Sequence, residues 1–304
     1  MKPSRRAFLG AGAAALAVPN ILAAPKSGRP LRIGFYTDLH MRPEWGTPDA
    51  WQQAAEWINR QDVDFLICGG DAITDGFDAG ADALEPRWDA YFSGHNRLNK
   101  DVYMALGNHD IVGAQPTDGS DPEDDPRRVF KSKFKLERTY YSFDALGHHV
   151  LVLDPFEIGW EGKAFRGWID EAQQAWIRED LARVSASTPI LIVSHMPFYS
   201  TYRQFTRGAL EPMSNRYIVE NNLDVLKLFA RHRLVGVLSG HLHVNEFIKV
   251  NGLTHICGGA VCAKWWRGPW FGTQEGFGVV SLDDGNVGWE YIDYQWESRR
   301  PPDL

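Results

Sequence analysis

Residues 31–40, LRIGFYTDLH, join a short apolar run to two side chains that commonly bind metals. The run Leu31 to Tyr36 has the length and composition of a buried strand. Asp38 and His40 follow it at the point where the strand would pass into a loop. Carboxylate and imidazole groups at such a point indicate a site for a transition metal.

The same arrangement of an apolar run followed by polar ligand types recurs four times. The further runs are Asp64 to Cys68, Val102 to Leu106, Ile190 to Val193 and Val235 to Leu238. The clusters after them are Gly69-Gly70-Asp71, Gly107-Asn108-His109-Asp110, Ser194-His195 and Gly240-His241-Leu242-His243. One bridging carboxylate with imidazole, carboxylate and amide ligands can hold two cations ~3.5–4 Å apart, which suits hydrolysis of a phosphoryl ester. The pattern therefore predicts a phosphoester hydrolase.

Helical periodicity between these runs completes an α/β pattern. Apolar residues share one face over 48–61 and over 168–184, and weaker patterns predict helices over 87–99 and 221–233. Three predicted hairpins pair 140–145 with 149–153, 247–250 with 253–256, and 279–282 with 287–291. We expect one α/β domain with two packed sheets, in which all five clusters lie beyond the carboxyl ends of strands.

Taken in order, the five clusters resemble the calcineurin-like metallophosphoesterases over residues 31–243. The resemblance implies a four-layer sandwich of two mixed β-sheets flanked by helices. It also implies two divalent or trivalent metal ions, which the ligand types suggest to be Mn, Fe, Zn or Co. The implied ligands are Asp38, His40, Asp71 and His243 for one ion, and Asp71, Asn108, His195 and His241 for the other. Asp71 would then bridge the two ions, and a hydroxide shared between them would be the nucleophile.

The resemblance makes His109 the group that protonates the departing oxygen, so the implied catalytic residues are Asp71, Asn108 and His109. In many relatives an aspartate three residues after the bridging one orients this histidine, but Thr74 occupies that position here. The candidates for the orienting role are Asp75 and Asp110, each also explicable as an ordinary loop acid. Purple acid phosphatases of the same superfamily carry a tyrosine ligand at the position of Thr74, so we expect a colourless site.

Residues 1–24 have the pattern of an export signal. The sequence SRRAFL at 4–9 is followed by the small-residue apolar run Gly10 to Val18 and then by Ala23-Ala24. It resembles a twin-arginine signal, and the alternative is a basic amino terminus leading into a core helix. We therefore expect the twin-arginine machinery as a partner and a periplasmic or extracellular location. The phosphoesterase domain is expected over 25–304, where it ends in a β-hairpin region. We expect no integral membrane segment.

The formal net charge is −7 at pH 7, and removal of the basic leader would make the chain more acidic still. A chain with this net charge lacks the broad positive surface of a nucleic-acid binder. The net charge does not exclude a local basic groove. Three cysteines, Cys68, Cys257 and Cys262, are too few for a disulfide framework, and only the last two are candidates for a pair.

Two further segments have both a structural and a functional interpretation. The aromatic stretch 258–270 includes Trp265, Trp266, Arg267 and Trp270, which could wall a substrate cleft or form a satellite core. Such a stretch resembles one in exported bacterial members of the superfamily. The acidic stretch 118–126 is either a solvated loop or a lid over the site.

The function that these patterns favour is hydrolysis of a small-molecule phosphodiester. A phosphomonoesterase of the same fold is the main alternative, since the ligands alone do not distinguish diesters from monoesters. A nuclease and a non-enzymatic exported metal-binding protein are further alternatives, and neither accounts as well for both the acidity and His109.

Overall fold

Two mixed β-sheets carry the five predicted runs. The computed structural model describes residues 29–159, 161 and 164–301. The strands are β1 (Leu31–Tyr36), β2 (Phe65–Cys68), β3 (Val102–Met104), β4 (Tyr141–Ala145), β5 (His148–Leu153), β6 (Phe156–Ile158), β7 (Phe165–Gly167), β8 (Pro189–Ser194), β9 (Arg233–Ser239), β10 (Glu246–Val250), β11 (Leu253–Cys257), β12 (Gly276–Asp283) and β13 (Asn286–Asp293). The helices are α1 (Thr47–Asn59), α2 (Ala81–His95), α3 (Arg128–Phe134), α4 (Glu171–Leu181), α5 (Tyr202–Arg207) and α6 (Asn222–Leu228).

The order of strands in each sheet brings the predicted runs together. The first sheet runs β13-β12-β1-β2-β3, and the second runs β10-β11-β9-β8-β5-β4, while β6 and β7 form a separate hairpin. Strands β1, β2 and β3 are parallel, with Phe35 opposite Ile67, and β12 joins them antiparallel. In the second sheet β5, β8, β9 and β11 are parallel, and β4 and β10 are the antiparallel edges.

Alternating side chains separate the interior into layers. Ile33, Phe35 and Ile67 belong to the apolar cluster between the two sheets, together with residues of β5, β8 and β12. Leu66 and Cys68, which alternate with them, join the cluster that contains the helices. Helices therefore cover the outer faces of both sheets, which confirms the predicted four-layer α/β sandwich.

The three predicted hairpins are confirmed, and each has a two-residue turn. Both central residues have positive φ in the turns Leu146-Gly147, Asn251-Gly252 and Asp284-Gly285. That backbone matches the twist of the flanking strands, and glycine adopts it without steric cost. The β12–β13 hairpin extends the first sheet at its edge.

Several boundaries differ from the predictions. Helix α2 starts at Ala81, not 87, and contains Pro86, whose cost in a helix is offset by burial of Leu84 and Trp88. Helix α6 ends at Leu228, because β9 already begins at Arg233. Helices α3 and α5 and the β6–β7 hairpin were not predicted, since their short segments have no clear apolar period.

The helices of the described residues are all too short or too polar to cross a membrane. The twin-arginine pattern at 1–24 lies outside the described residues, so export remains a prediction.

Candidate metal centre

All five clusters meet at the carboxyl ends of β1, β2, β3, β8 and β9. The backbone is left-handed at five of the predicted ligands, with φ of 55° at Asp38, 45° at His40, 54° at Asp71, 70° at His241 and 58° at His243. Such a conformation costs a non-glycine residue on the order of 1–2 kcal/mol and persists only where surrounding contacts enforce it. Here the loops hydrogen-bond to one another, for example His40 N to Asp71 O at 3.0 Å and Gly240 N to His195 O at 3.0 Å.

One group of ligand atoms lies between β1, β2 and β9. His40 Nε2 lies 3.0 Å from His243 Nε2 and 3.5 Å from Asp71 Oδ2. His243 Nε2 lies 3.3 Å from Asp38 Oδ1. Ligand atoms around one cation, each about 2.0–2.2 Å from it, are separated by roughly these distances.

A second group adjoins the first and shares Asp71 with it. His195 Nε2 lies 3.1 Å from Asp71 Oδ2 and 3.3 Å from His241 Nδ1. Asn108 Oδ1 is buried and has no hydrogen-bond partner in the described part of the chain. Asp71 Oδ1 accepts a hydrogen bond from His109 N at 2.7 Å, so Oδ2 is the oxygen that faces both groups. Asp71 Oδ2 thus lies between the two groups of predicted ligand atoms.

Backbone carbonyls fix which nitrogen of three histidines faces inward. His195 Nδ1 donates to Gly69 O at 2.7 Å, His241 Nε2 to Arg216 O at 2.7 Å, and His243 Nδ1 to Ala263 O at 2.6 Å. A neutral imidazole has a single N–H, so the inner nitrogens present lone pairs. Carbonyl partners of this kind typically orient metal-binding histidines. Two facing lone pairs beside a carboxylate and an unpartnered amide oxygen fit a cation.

The electrostatics of these buried groups also favour a bound cation. Burial lowers the pKa of His241 to about 4. Burial opposes protonation of His195 as well, but the carboxylates of Asp71 and Asp38 raise its pKa to about 9. A positive charge is therefore stabilised beside Asp71, and divalent cations would supply it. The residues present fit the metal pair that the family resemblance implies.

The ring of His109 is oriented by a backbone amide. The N–H of Asp75 donates to His109 Nδ1 at 3.1 Å, so in the neutral ring the proton resides on Nε2. The carboxylate of Asp75 instead pairs with Arg42 at 3.3 Å and Arg87 at 3.1 Å. Asp75 thus orients the histidine, as one of the two candidates, but through its main chain.

Among the hydrogen bonds of the described residues, none joins Asp110, the other candidate, to the ring of His109. Its carboxylate accepts hydrogen bonds from the backbone N–H groups of Ala72 at 2.8 Å and Gly107 at 3.0 Å. These bonds join the loop after β2 to the loop after β3 and so fix Asp71 relative to Asn108. Asp110 is a structural residue of the site.

A cavity of about 390 Å³ opens over both groups of ligands. Its lining comprises His40, Asp71, Asn108, His109, Phe165, Tyr202, Arg207, Arg216, Tyr217, His241, Leu242, His243, Trp265 and Trp270. Trp265 packs on His243 with ring centroids 4.4 Å apart, whereas Trp266 is buried in the core. Both interpretations of the aromatic stretch therefore apply to different residues, and Arg267 is absent from the lining.

Sequence reasoning missed four lining residues, namely Phe165, Arg207, Arg216 and Tyr217. They lie in segments that carry no motif. The acidic stretch 118–126 does not line the cavity; Asp118 accepts a hydrogen bond from Gly80 N, as expected of a loop. Cys257 and Cys262 are free and buried.

Residues 31–245 match the family described as calcineurin-like phosphoesterase. The chain is 27% identical over 251 residues to purple acid phosphatase 22 of Arabidopsis thaliana, an alignment that covers 77% of this chain and 49% of that protein. The chain thus spans about half the length of that curated relative.

Solved structures show the same fold. A dimetal phosphatase from Danio rerio has a TM-score of 0.59 at 16% identity, covering 88% of this chain and 100% of that one. Purple acid phosphatase PPD1 from yellow lupin (Lupinus luteus) has a TM-score of 0.56 at 16% identity, covering 89% and 52%. Since the family match extends over well more than half of the sequence and includes every residue of the metal centre, this chain belongs to the calcineurin-like phosphoesterase family.

Proposed function

We propose that this protein is a dinuclear metal-dependent phosphoric ester hydrolase that acts on phosphodiesters. The observation that carries the proposal is the position of Asp71 Oδ2, which faces His40 Nε2 at 3.5 Å on one side and His195 Nε2 at 3.1 Å on the other. One carboxylate oxygen between two sets of inward-facing ligands supports a pair of cations rather than one.

Each residue of the centre has a defined part in this proposal. When bound, two cations would polarise the phosphoryl group as Lewis acids and would lower the pKa of a bound water, so that hydroxide is available at neutral pH. Asp38, His40 and His243 would hold one ion, Asn108, His195 and His241 would hold the other, and Asp71 would contact both. His109 lines the cavity, and its Nε2–H is the donor for the departing oxygen.

The preference for diesters rests on space. A cavity of about 390 Å³ around the ligands leaves room for an alcohol on either side of the phosphorus. Hydrolysis of monoesters is the second candidate, and the similarity to purple acid phosphatase 22 favours it.

The test is a comparison of two substrates on protein stripped with chelator and reloaded with Mn²⁺. We expect bis-p-nitrophenyl phosphate to be hydrolysed with a higher kcat/KM than p-nitrophenyl phosphate. The reverse order would identify a monoesterase. Inertness toward both and toward a broad phosphoester panel would contradict the proposed function, and Asp71→Asn provides the inactive control.

A further inference from the structure

Two arginines line the cavity that contains the metal ligands. Arg207 ends helix α5, and Arg216 follows in the loop after it. Neither has a carboxylate oxygen within 4.0 Å in the part of the chain that the structure describes. By contrast, Arg203 on the same helix as Arg207 contacts Glu211, and Arg166, next to the lining residue Phe165, contacts Glu157. Two uncompensated positive charges therefore face the same cavity.

Arg216 is anchored beside the second group of metal ligands. Its carbonyl accepts the hydrogen bond from His241 Nε2 at 2.7 Å, and its guanidinium lies over the ring of Phe165 at 5.1 Å. The aromatic contact restricts the side chain without using its five N–H donors. Among the described residues none of these donors makes a hydrogen bond, so they remain available to an anion in the cavity.

The arginines would add positive charge to a site that already holds two cations when loaded. A phosphodiester has only two non-ester oxygens, and both would be engaged by the two ions, so it would leave no charged oxygen for two additional guanidinium groups. Arginine binds phosphate through paired N–H donors, and two guanidinium groups match one dianionic phosphate. A cavity of about 390 Å³ has room for two phosphates with a short linker between them.

We propose that Arg207 and Arg216 form a subsite for a second phosphate of the substrate, so that the preferred substrate is an organic phosphoester carrying another phosphate group. This inference rests on the proposed function, because it places the first phosphate at the metal pair. It adds a chemical class of substrate that the metal ligands do not define.

Binding of two non-hydrolysable analogues tests the subsite. Propane-1,3-diphosphonate and propylphosphonate differ by one anionic group, and calorimetry on Mn²⁺-loaded protein freed of excess metal gives both Kd values. We expect the diphosphonate to bind ~10–100-fold more tightly to the natural protein. In the double variant Arg207→Gln/Arg216→Gln this ratio should fall below about threefold.

Arg178→Gln is the matched control. It removes one positive charge per substitution, as each change in the double variant does, but from α4 and outside the cavity lining, and should leave the affinity ratio unchanged. Equal Kd values for the two analogues in the natural protein, or a ratio that survives the double substitution, would overturn the inference. Hydrolysis of bis-p-nitrophenyl phosphate by the same preparation separates this failure from failure of the proposed function, because that reaction needs no second anion.

Discussion

At the scale of single residues, the two oxygens of Asp71 have different partners. Oδ1 accepts the backbone N–H of His109, which leaves Oδ2 facing His40 and His195. The main chain of His109 therefore supports the metal centre, while its side chain lines the cavity. Two roles of one residue can be separated by substitution, since a change of side chain leaves the N–H in place.

Replacement His109→Ala should lower kcat by ~10²–10⁴, because the donor for the departing oxygen is lost. Metal content should stay at the natural level, since the hydrogen bond to Asp71 comes from the backbone. Steady-state kinetics together with elemental analysis measure both quantities. Loss of bound metal, or an unchanged kcat, would show that the ring of His109 is not the proton donor for the departing oxygen.

Residue types at strand ends were sufficient to predict which side chains converge. The seven proposed ligands lie together at the carboxyl ends of five strands, because parallel strands place these ends at one edge. The sequence did not reveal that the amide of Asp75 would hold His109, since any residue except proline supplies such a donor. Arg207 and Arg216 were missed for a similar reason, as surface arginines carry no positional signal.

At the scale of elements, a buried histidine joins helix α4 to the edge of the second sheet. His149 on β5 contacts Asp180 of α4 at 2.7 Å and Asp144 of β4 at 2.7 Å. Burial opposes its protonation, but hydrogen bonds to Asp180 and Asp144 raise the pKa of His149 above its ordinary value. Arg183 also contacts Asp180, at 3.3 Å, and so competes for the same carboxylate.

The stabilisation from His149 should depend on pH. Because the pKa is higher in the folded state, protonated His149 stabilises the fold fully below about pH 6.5 and loses this effect as pH rises through the folded value. His149→Gln should therefore destabilise the protein at pH 5.5, by about 3 kcal/mol for a buried pair, and by less at pH 9. Thermal unfolding at both values measures the difference.

His232→Gln is the control for this experiment. His232 contacts only a backbone carbonyl, Leu181 O at 3.1 Å, among the hydrogen bonds described for its ring, so its replacement should have a similar effect at both pH values. A loss of stability in His149→Gln that does not change with pH would contradict the ionic role of this histidine.

Elements with a strong period or turn signal were predicted well. The strand β1 has the predicted limits, and the three two-residue turns join the predicted hairpins. Short elements were less predictable, because tertiary contacts decide them. The helix α5, six residues long, has no buried side chain of its own and so leaves no apolar pattern in the sequence.

At the scale of the whole molecule, the cavity is assembled from segments that are distant in sequence. Trp265 and Trp270 come from a loop in which Ala263, Trp265 and Trp266 have positive φ. Tyr202, Arg207 and Arg216 come from a segment about 60 residues earlier. The sequence analysis offered the stretch 258–270 as a possible wall of the site, but it could not show which side chains would face inward. Substrate choice therefore depends on the part of the molecule that is least predictable.

The most direct test of the account is the position of bound metal around Asp71. Crystals grown with excess Mn²⁺ and measured for anomalous scattering should show two peaks ~3.5–4 Å apart, one on each side of Asp71 Oδ2. In Asp71→Asn both peaks should weaken, because each ion loses the shared carboxylate. A single peak, or peaks away from Asp71 with the histidines not converging on them, would contradict the dinuclear centre.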